Sequence, residues 1–343
     1  MPNLEYAFRR NWAVGSVVIE RYPVIEANWA ATRPKLEALR ARLAGSAIAG
    51  LRCVAAAGSL GRMEYGEKSD ADLIVLVDDA LDDPAAKAAY DAVWNALAPE
   101  NVDLPNLTGV FASPARAADL CGPKAGGSEE TLSALGKRLL LLLESQPLFG
   151  DGAFEDIVDA ILQFYGRDYV ARDPTKEWTF LLNDLIRYFR SVCVHYQWSF
   201  GQDPAVWRIR NVKLRHSRVI MYAGLLMLLG ECSKERGNKV TWLRKRLRST
   251  PLERIASVYE SNADWDFHRI AGPYDIFLGR LNDPDLRRKL TDEERQDSYR
   301  ERYSFRPYAE LKATSDSIAA EITRFLFARR GAWTERFFEY LFI

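Results

Sequence analysis

From about Glu26 to Leu43 apolar residues recur at helical spacing, and Ala44-Gly45-Ser46 supplies a stop signal, so an amphipathic helix is predicted to lead the fold. Leu51 to Ala57 is short, apolar and followed by glycine, and Leu73 to Val77 is an unbroken apolar run closed by Asp78-Asp79. Both read as buried strands. Asp83-Pro84 has the form of an N-cap and first-turn pair, and Ala85 to Leu97 is rich in helix formers, which predicts a crossover helix after the second strand. Val102-Asp103-Leu104 and Leu107 to Ala112 resume extended character, broken by Pro105 and closed by Ser113-Pro114. They predict a third strand with an irregular start. After Gly126-Gly127-Ser128 the pattern is almost wholly helical to the end.

These elements predict an α+β protein in two parts. Gly150-Asp151-Gly152 interrupts the periodicity and is the expected boundary, with a mixed core over residues 1–150 and a helical lobe over 151–343. The length of 343 residues suits two packed parts. No internal repeat or low-complexity segment breaks the pattern.

Composition narrows the function classes only a little. Lys plus Arg and Asp plus Glu both number 47, so whole-chain charge points to no polyanion and any such preference must come from local clustering. Cys53, Cys121, Cys193 and Cys232 are widely spaced, which suggests neither a zinc knuckle nor a disulfide framework. Met1-Pro2-Asn3-Leu4-Glu5 does not read as a signal peptide. The apolar runs Leu139 to Leu143 and Val219 to Leu229 fall short of the ~20 residues of a membrane span. A soluble, cytoplasmic setting without membrane insertion is expected.

The chemistry concentrates after the first strand. Gly58-Ser59 falls where that strand turns, a place where backbone N–H groups can meet phosphate oxygens and glycine allows close approach. Asp70-Ala71-Asp72 then leads into the second strand. Alternation sends Asp70 and Asp72 to one side while Ala71 and Leu73 enter the core. Two adjacent carboxylates repel unless a cation lies between them, and Mg²⁺ takes oxygen ligands from one or two carboxylates plus substrate phosphates.

Gly58-Ser59, a gap of about ten residues and then Asp70-x-Asp72 before an apolar strand resembles the signature of the DNA polymerase β-like nucleotidyltransferase superfamily. Gly61-Arg62-x-Glu64 and Ser69-Asp70 extend the likeness, in a form similar to the uridylyltransferases of nitrogen-regulatory PII proteins and to nucleotidyltransferase domains fused to CBS modules. The strong match covers about 25 residues, with a softer one from Leu51 to about Gly150.

The resemblance implies a small mixed sheet with flanking helices and a helical lobe closing a nucleotide cleft. It implies two Mg²⁺ or Mn²⁺ ions with a nucleoside triphosphate, held by Asp70 and Asp72 and by a third carboxylate on a later strand. Asp103 has the expected apolar-Asp-apolar form, against which Pro105 breaks the usual pattern. Gly58, Ser59, Gly61, Arg62 and Ser69 are then expected to bind nucleotide.

In the helical part Asn183, Arg187 and Arg190 share a helical face, either a solvated surface or a charged wall over the nucleotide. Ala205 to Arg248 holds 12 Lys or Arg against two Glu, a local field that favours triphosphate or polynucleotide. The superfamily commonly uses basic residues of this lobe on the triphosphate, which would suit Lys213 with Arg210 or Arg218. Arg244 to Arg248 reads rather as a solvated face. His195, His216 and His268 have no metal spacing. Trp198 and Trp207 either stack a base or pack the core. The apolar tail Arg336 to Ile343 is expected to dock on its own lobe or on a protein partner.

The resemblance fixes donor chemistry and leaves the acceptor open. Three readings stand: template-independent synthesis of a nucleotide signal or short oligonucleotide, as in bacterial antiviral defence and signalling; nucleotidylation of a protein hydroxyl, regulatory or toxin-like; and an inactive nucleotide-binding scaffold. Transfer to an aminoglycoside-type small molecule is a further possibility.

Overall fold

The computed structural model describes residues 21–66, 69–104, 108–167, 169–200, 204–291 and 298–342. Among them the architecture is mixed, with many helices and one small antiparallel sheet. They divide into two compact units. The first runs from Asn28 to Asp184 and takes up Glu235–Thr250 again. The second comprises residues up to Ala27, then Leu185–Lys234 and Pro251–Ile343.

The leading helix α1 spans Pro23–Ala44, as its periodicity predicts. Within the first unit its stripe of Trp29, Leu36, Leu39 and Leu43 is buried, as is Thr32. Strand β1 (Leu51–Ala56) follows, then the single-turn helix α2 (Gly58–Gly61) and strand β2 (Leu73–Val77). β1 lies at the centre of the sheet, with Cys53 to Ala56 wholly buried. β2 pairs with it antiparallel in the register Ala56↔Leu73, and the ladder extends one step further through the Ala57 N–H on the Asp72 carbonyl at 2.8 Å.

Helix α3 (Asp83–Leu97) follows β2. Its N-cap is Asp82, one residue before the expected Asp83, because the Asp82 carboxylate accepts the Ala85 N–H at 2.8 Å. The predicted third strand over Val102–Leu104 and the following segment does not form. Asn101 to Leu104 is irregular, residues 105–107 lie outside the described residues, and Thr108 to Pro114 makes bends. What remains is one parallel bridge, Leu76↔Ala115, with the Ala115 N–H on the Val75 carbonyl at 2.9 Å. Lys137 holds the neighbouring chain: its ammonium is buried and donates to the Ser113 and Ser133 hydroxyls. Burial pushes its pKa down to about 8.

Helices α4 (Ala117–Cys121) and α5 (Leu132–Leu143) lead into strand β3, Gln146–Phe149, where the sequence pattern predicts only helix. β3 completes the sheet in the order β2-β1-β3 and carries Pro147, which an edge strand tolerates. Gly150 follows at φ 70°, and helix α6 (Asp151–Gly166) covers β1. A buried network closes this unit. Arg138 of α5, wholly buried, donates to the Tyr165 hydroxyl at 2.7 Å and to Asp184 at 2.9 Å, and pairs with Glu130. Asp184 lies on helix α7, Thr179–Ser199. Helix α10 (Lys239–Arg246) packs on α6, where Arg244 pairs with Glu155 and Asp159 and Arg248 with Glu155, while Lys245 is exposed, so the basic run is solvated only in part.

The second unit continues along α7 into α8 (Pro204–Lys213), a π-helical turn at Leu214–Arg218 and the buried helix α9, Val219–Ser233. Helix α11 (Pro251–Ser261) approaches α9 at Gly224, where an added Cβ would lie 2.7 Å from the Pro251 carbonyl oxygen. Helices α12 (His268–Asn282), α13 (Pro284–Leu290) and α14 (Arg306–Ala328) follow. The tail forms helix α15 (Glu335–Phe342), whose Phe337 and Phe338 are buried against Trp333 of the same unit. The apolar tail thus docks on its own unit, and Phe342 is left 72% exposed. No helix among the described residues is long and apolar enough to cross a membrane.

Candidate nucleotide and metal site

Two backbone facts build the site. β1 ends at Ala56, Gly58 turns the chain at φ +58°, and α2 carries it away for a single turn. Antiparallel pairing brings the residues just ahead of β2 beside that turn. The strand alternation predicted for this approach is present: Ala71 and Leu73 are each 1% exposed, whereas Asp70 is exposed and Asp72 half-buried.

Both glycines of the motif are required by close approach. A Cβ on Gly58 would fall 2.2 Å from Asp72 Oδ2 and 2.9 Å from its Cγ. On Gly61 it would meet the Glu144 carbonyl oxygen at 2.1 Å and that of Ala56 at 2.8 Å. Gly61 therefore accepts no larger side chain without backbone movement, and at Gly58 an added Cβ would have to displace the Asp72 carboxylate.

The junction between α5 and β3 walls the turn from the other side. Glu144 is buried; its Oε1 accepts the Gly58 N–H at 2.9 Å and its Oε2 the Arg62 Nη1 at 2.6 Å. Arg62 Nε donates in turn to Glu64 at 2.8 Å, and the Gln146 amide donates to the Gly61 carbonyl at 3.3 Å. The expectation that Gly58 offers an open N–H to phosphate is corrected by this contact, since a carboxylate of the chain itself takes that donor. Arg62 is likewise engaged by two acids, with only 12% of its side chain exposed, and is placed as a structural cation rather than an open phosphate ligand. Ser59 is half-buried, and its hydroxyl has no partner among the described residues. Ser69 closes the loop ahead of the acidic pair by accepting the Gly66 N–H at 3.0 Å.

Asp103 stands in irregular chain and is exposed, so the expectation of a strand-borne third carboxylate fails in that form. Its charge nevertheless reaches the same place as that of Asp70. Burial, then the carboxylates of Asp103 and Asp70, raise the Tyr65 hydroxyl above its ordinary pKa. Tyr65 is tied to α1: its N–H donates to the Thr32 hydroxyl at 3.0 Å, and the Lys35 ammonium lies 5.8 Å from its ring centroid. Glu144, Tyr65, Thr32 and Lys35 escape a sequence reading because no motif spacing marks them. The one available signal is Glu144 itself, an acid between the Leu139–Leu143 run and the apolar start of β3.

Among the described residues no group of three or more His, Cys, Asp and Glu side chains is arranged to hold a metal. Mg²⁺ does not demand one, since it keeps waters and is commonly held by one or two carboxylates with substrate phosphates. An exposed Asp70 and a half-buried Asp72, hard oxygen donors two residues apart, fit that requirement.

Arg187, Arg210, Lys213 and Arg218 belong to the second unit, whereas Asp70, Asp72 and Asp103 belong to the first. Asn183, Arg187 and Arg190 are each exposed. Burial raises the Cys193 thiol above its ordinary pKa, and the guanidiniums of Arg190, Arg215 and Arg218 oppose that shift. Arg218 also lies 5.4 Å from the Tyr196 ring centroid, and Arg215 pairs with Asp316 at 3.9 Å. Trp207 is a core residue, packed among Phe200, Tyr299 and Tyr308, while Trp198 is 79% exposed. His216 is fully buried in the π-turn and carries no ligand chemistry. No family model matches the chain, and no curated protein matches it.

Proposed function

We propose that the chain is a metal-dependent nucleotidyltransferase that moves a nucleoside monophosphate from a nucleoside triphosphate to a hydroxyl acceptor. The observation that carries this reading is the seating of Asp72 against Gly58, with Asp70 two residues away, at the mouth of an antiparallel strand pair. A glycine turn held open for a carboxylate is an arrangement that neither a plain β-turn nor a solvated strand start requires.

In this reading Asp70 and Asp72 hold divalent cation, Mg²⁺ or Mn²⁺, which when bound neutralises the triphosphate and lowers the cost of charge developing at the leaving oxygens. Ser59 offers its hydroxyl to a phosphate oxygen. Asp103 accepts the proton of the attacking hydroxyl. The Tyr65 hydroxyl feels the charges of both Asp103 and Asp70. The acceptor favoured here is a nucleotide or short oligonucleotide.

A second reading, a catalytically silent nucleotide-binding scaffold, draws support from the occupied Gly58 N–H and the twofold pairing of Arg62. One experiment separates them. The protein is incubated with each α-labelled NTP and dNTP plus Mg²⁺ or Mn²⁺, and small products, oligomers and labelled protein are resolved. Label in a small nucleotide or a ladder supports the favoured acceptor, and label on protein a protein hydroxyl. Label on nothing, with nucleotide binding retained, supports the scaffold.

A further inference from the structure

Glu144 has no counterpart in the carboxylate motif, yet it reaches two of the motif's residues. Its buried side chain lies at the end of α5, and its two oxygens diverge, one to the Gly58 N–H and one to Arg62. The Gly61 Cα packs against the Glu144 backbone, so the whole turn rests on the α5–β3 junction. Gly58 in turn rests on Asp72, with no room between its Cα and that carboxylate. Displacement of Gly58 in either direction therefore changes the space available to the Asp72 side chain.

We infer that Glu144 is a positioning residue for divalent-cation binding: by fixing Gly58 it sets the orientation of the Asp72 carboxylate. The inference rests on the reading of Asp70 and Asp72 as metal ligands. A buried acid is suited to the role. Its Oε1 supplies an acceptor to an N–H that is shut away from water, and its charge is balanced by Arg62, which Glu64 holds from the other side. Residues that orient a metal ligand without touching the ion commonly change metal affinity about 10–100-fold when replaced.

The test compares Glu144→Gln with Glu144→Leu. Both remove the charge opposite Arg62, but only glutamine keeps an oxygen that can accept the Gly58 N–H. Mn²⁺ affinity is measured by titration followed by electron paramagnetic resonance, without nucleotide, alongside thermal melting. Wild type is expected to bind Mn²⁺ in a manner lost in Asp72→Asn. Glu144→Leu is expected to bind about 10–100-fold more weakly, and Glu144→Gln within a few fold of wild type, although both melt at similarly lowered temperatures. A merely structural role would move affinity and melting together in both variants. Should Glu144→Leu fail to fold, Glu144→Met, which also lacks an acceptor while Arg62 keeps Glu64 as its partner, takes its place in the same comparison. Equal affinity in wild type and Glu144→Leu, with binding still dependent on Asp72, overturns the role of Glu144 alone. Binding that is absent in wild type, or indifferent to Asp72→Asn, overturns the metal reading and this inference with it.

Discussion

Gly58 and Asp72 share one space: the volume a Cβ on Gly58 would occupy is filled by the Asp72 carboxylate, 2.2 Å from its Oδ2. The turn and the acidic pair are thus one unit although fourteen positions separate them in the chain. Gly58→Ala must both hold an alanine at φ +58° and push the carboxylate aside. The backbone cost alone is about 1–2 kcal/mol. Melting of Gly58→Ala is expected to fall by several degrees, and Mn²⁺ affinity to fall with it. An alanine variant with wild-type melting and Mn²⁺ binding would show that Asp72 has another resting place.

Asp70→Ala and Asp72→Ala remove side chains that are exposed and half-buried, so unfolding free energy should change by no more than about 1 kcal/mol. Nucleotidyl transfer should fall at least ~100-fold in each, the scale on which losing one electrostatic contact to developing charge is felt. Turnover of α-labelled nucleotide beside a denaturation curve checks both halves. Near-normal turnover in either variant would remove the acidic pair from the chemistry.

The legibility of this site in the sequence was uneven for physical reasons. Period-two alternation makes Asp70-Ala71-Asp72-Leu73 readable, since each apolar neighbour must be buried if the acids are not, and Ala71 and Leu73 are. The long helices are readable because many residues vote on one period. β3 is not, because Gln146–Phe149 is four residues long, contains proline and is parted from the leucine run by Glu144-Ser145 alone. The sheet position beside β2 misleads for the opposite reason. The chain from Val102 to Ala112 has extended composition, yet none of its described residues pairs with the sheet, and the bridge to β2 comes later, at Ala115. Glu144 illustrates the deeper limit. Its partners Gly58 and Arg62 lie more than eighty positions away, and a single acid at a helix end carries no local mark of a buried partner.

Arg138 is wholly buried between Glu130, Tyr165 and Asp184. Burial opposes its charge, while Tyr165 and the two carboxylates hold it well above the ordinary guanidinium value. Arg138→Met would leave Glu130 and Asp184 without it. The expected cost is about 3–5 kcal/mol, the range for breaking a buried ion pair from one side. Chemical denaturation checks this, and a loss under about 1 kcal/mol would mean that water relieves the stranded acids.

His216 gives the second unit a pH dependence of predictable sign. Burial pushes its pKa down to about 4 from 6.5, so the fold prefers the neutral ring. Its Nδ1 donates to the Val212 carbonyl at 2.8 Å, which leaves Nε2 to accept the Thr314 hydroxyl at 2.8 Å, while Phe277 stacks on the ring at 4.0 Å. The unfolded chain binds the proton more readily, so the stability is fully present above pH 6.5 and is lost as pH falls toward about 4. Between pH 7 and pH 5 the loss is about 2 kcal/mol. His216→Phe should flatten that part of the stability profile, measured by denaturant unfolding at several pH values. A slope unchanged in the variant would assign the effect to other groups.

Asp103 is where sequence and structure pull against each other. It is the only acid between Glu100 and Asp119, so if a third carboxylate comes from this segment, it is this one. It does not sit on a strand, and its side chain is exposed, which leaves it free to take a proton into solvent. Its charge and that of Asp70 both act on the Tyr65 hydroxyl, which links it electrostatically to the acidic pair. Asp103→Asn keeps the size of the side chain and removes its basicity. Metal-dependent nucleotide binding should therefore survive, while single-turnover transfer falls about 100-fold or more, the scale of a lost general base. Tyr65→Phe serves as the control, because it removes the hydroxyl on which both charges act and leaves both carboxylates in place. Transfer in Asp103→Asn within a few fold of wild type would mean that the attacking hydroxyl loses its proton elsewhere, and the exposed loop would then be a surface feature near the site.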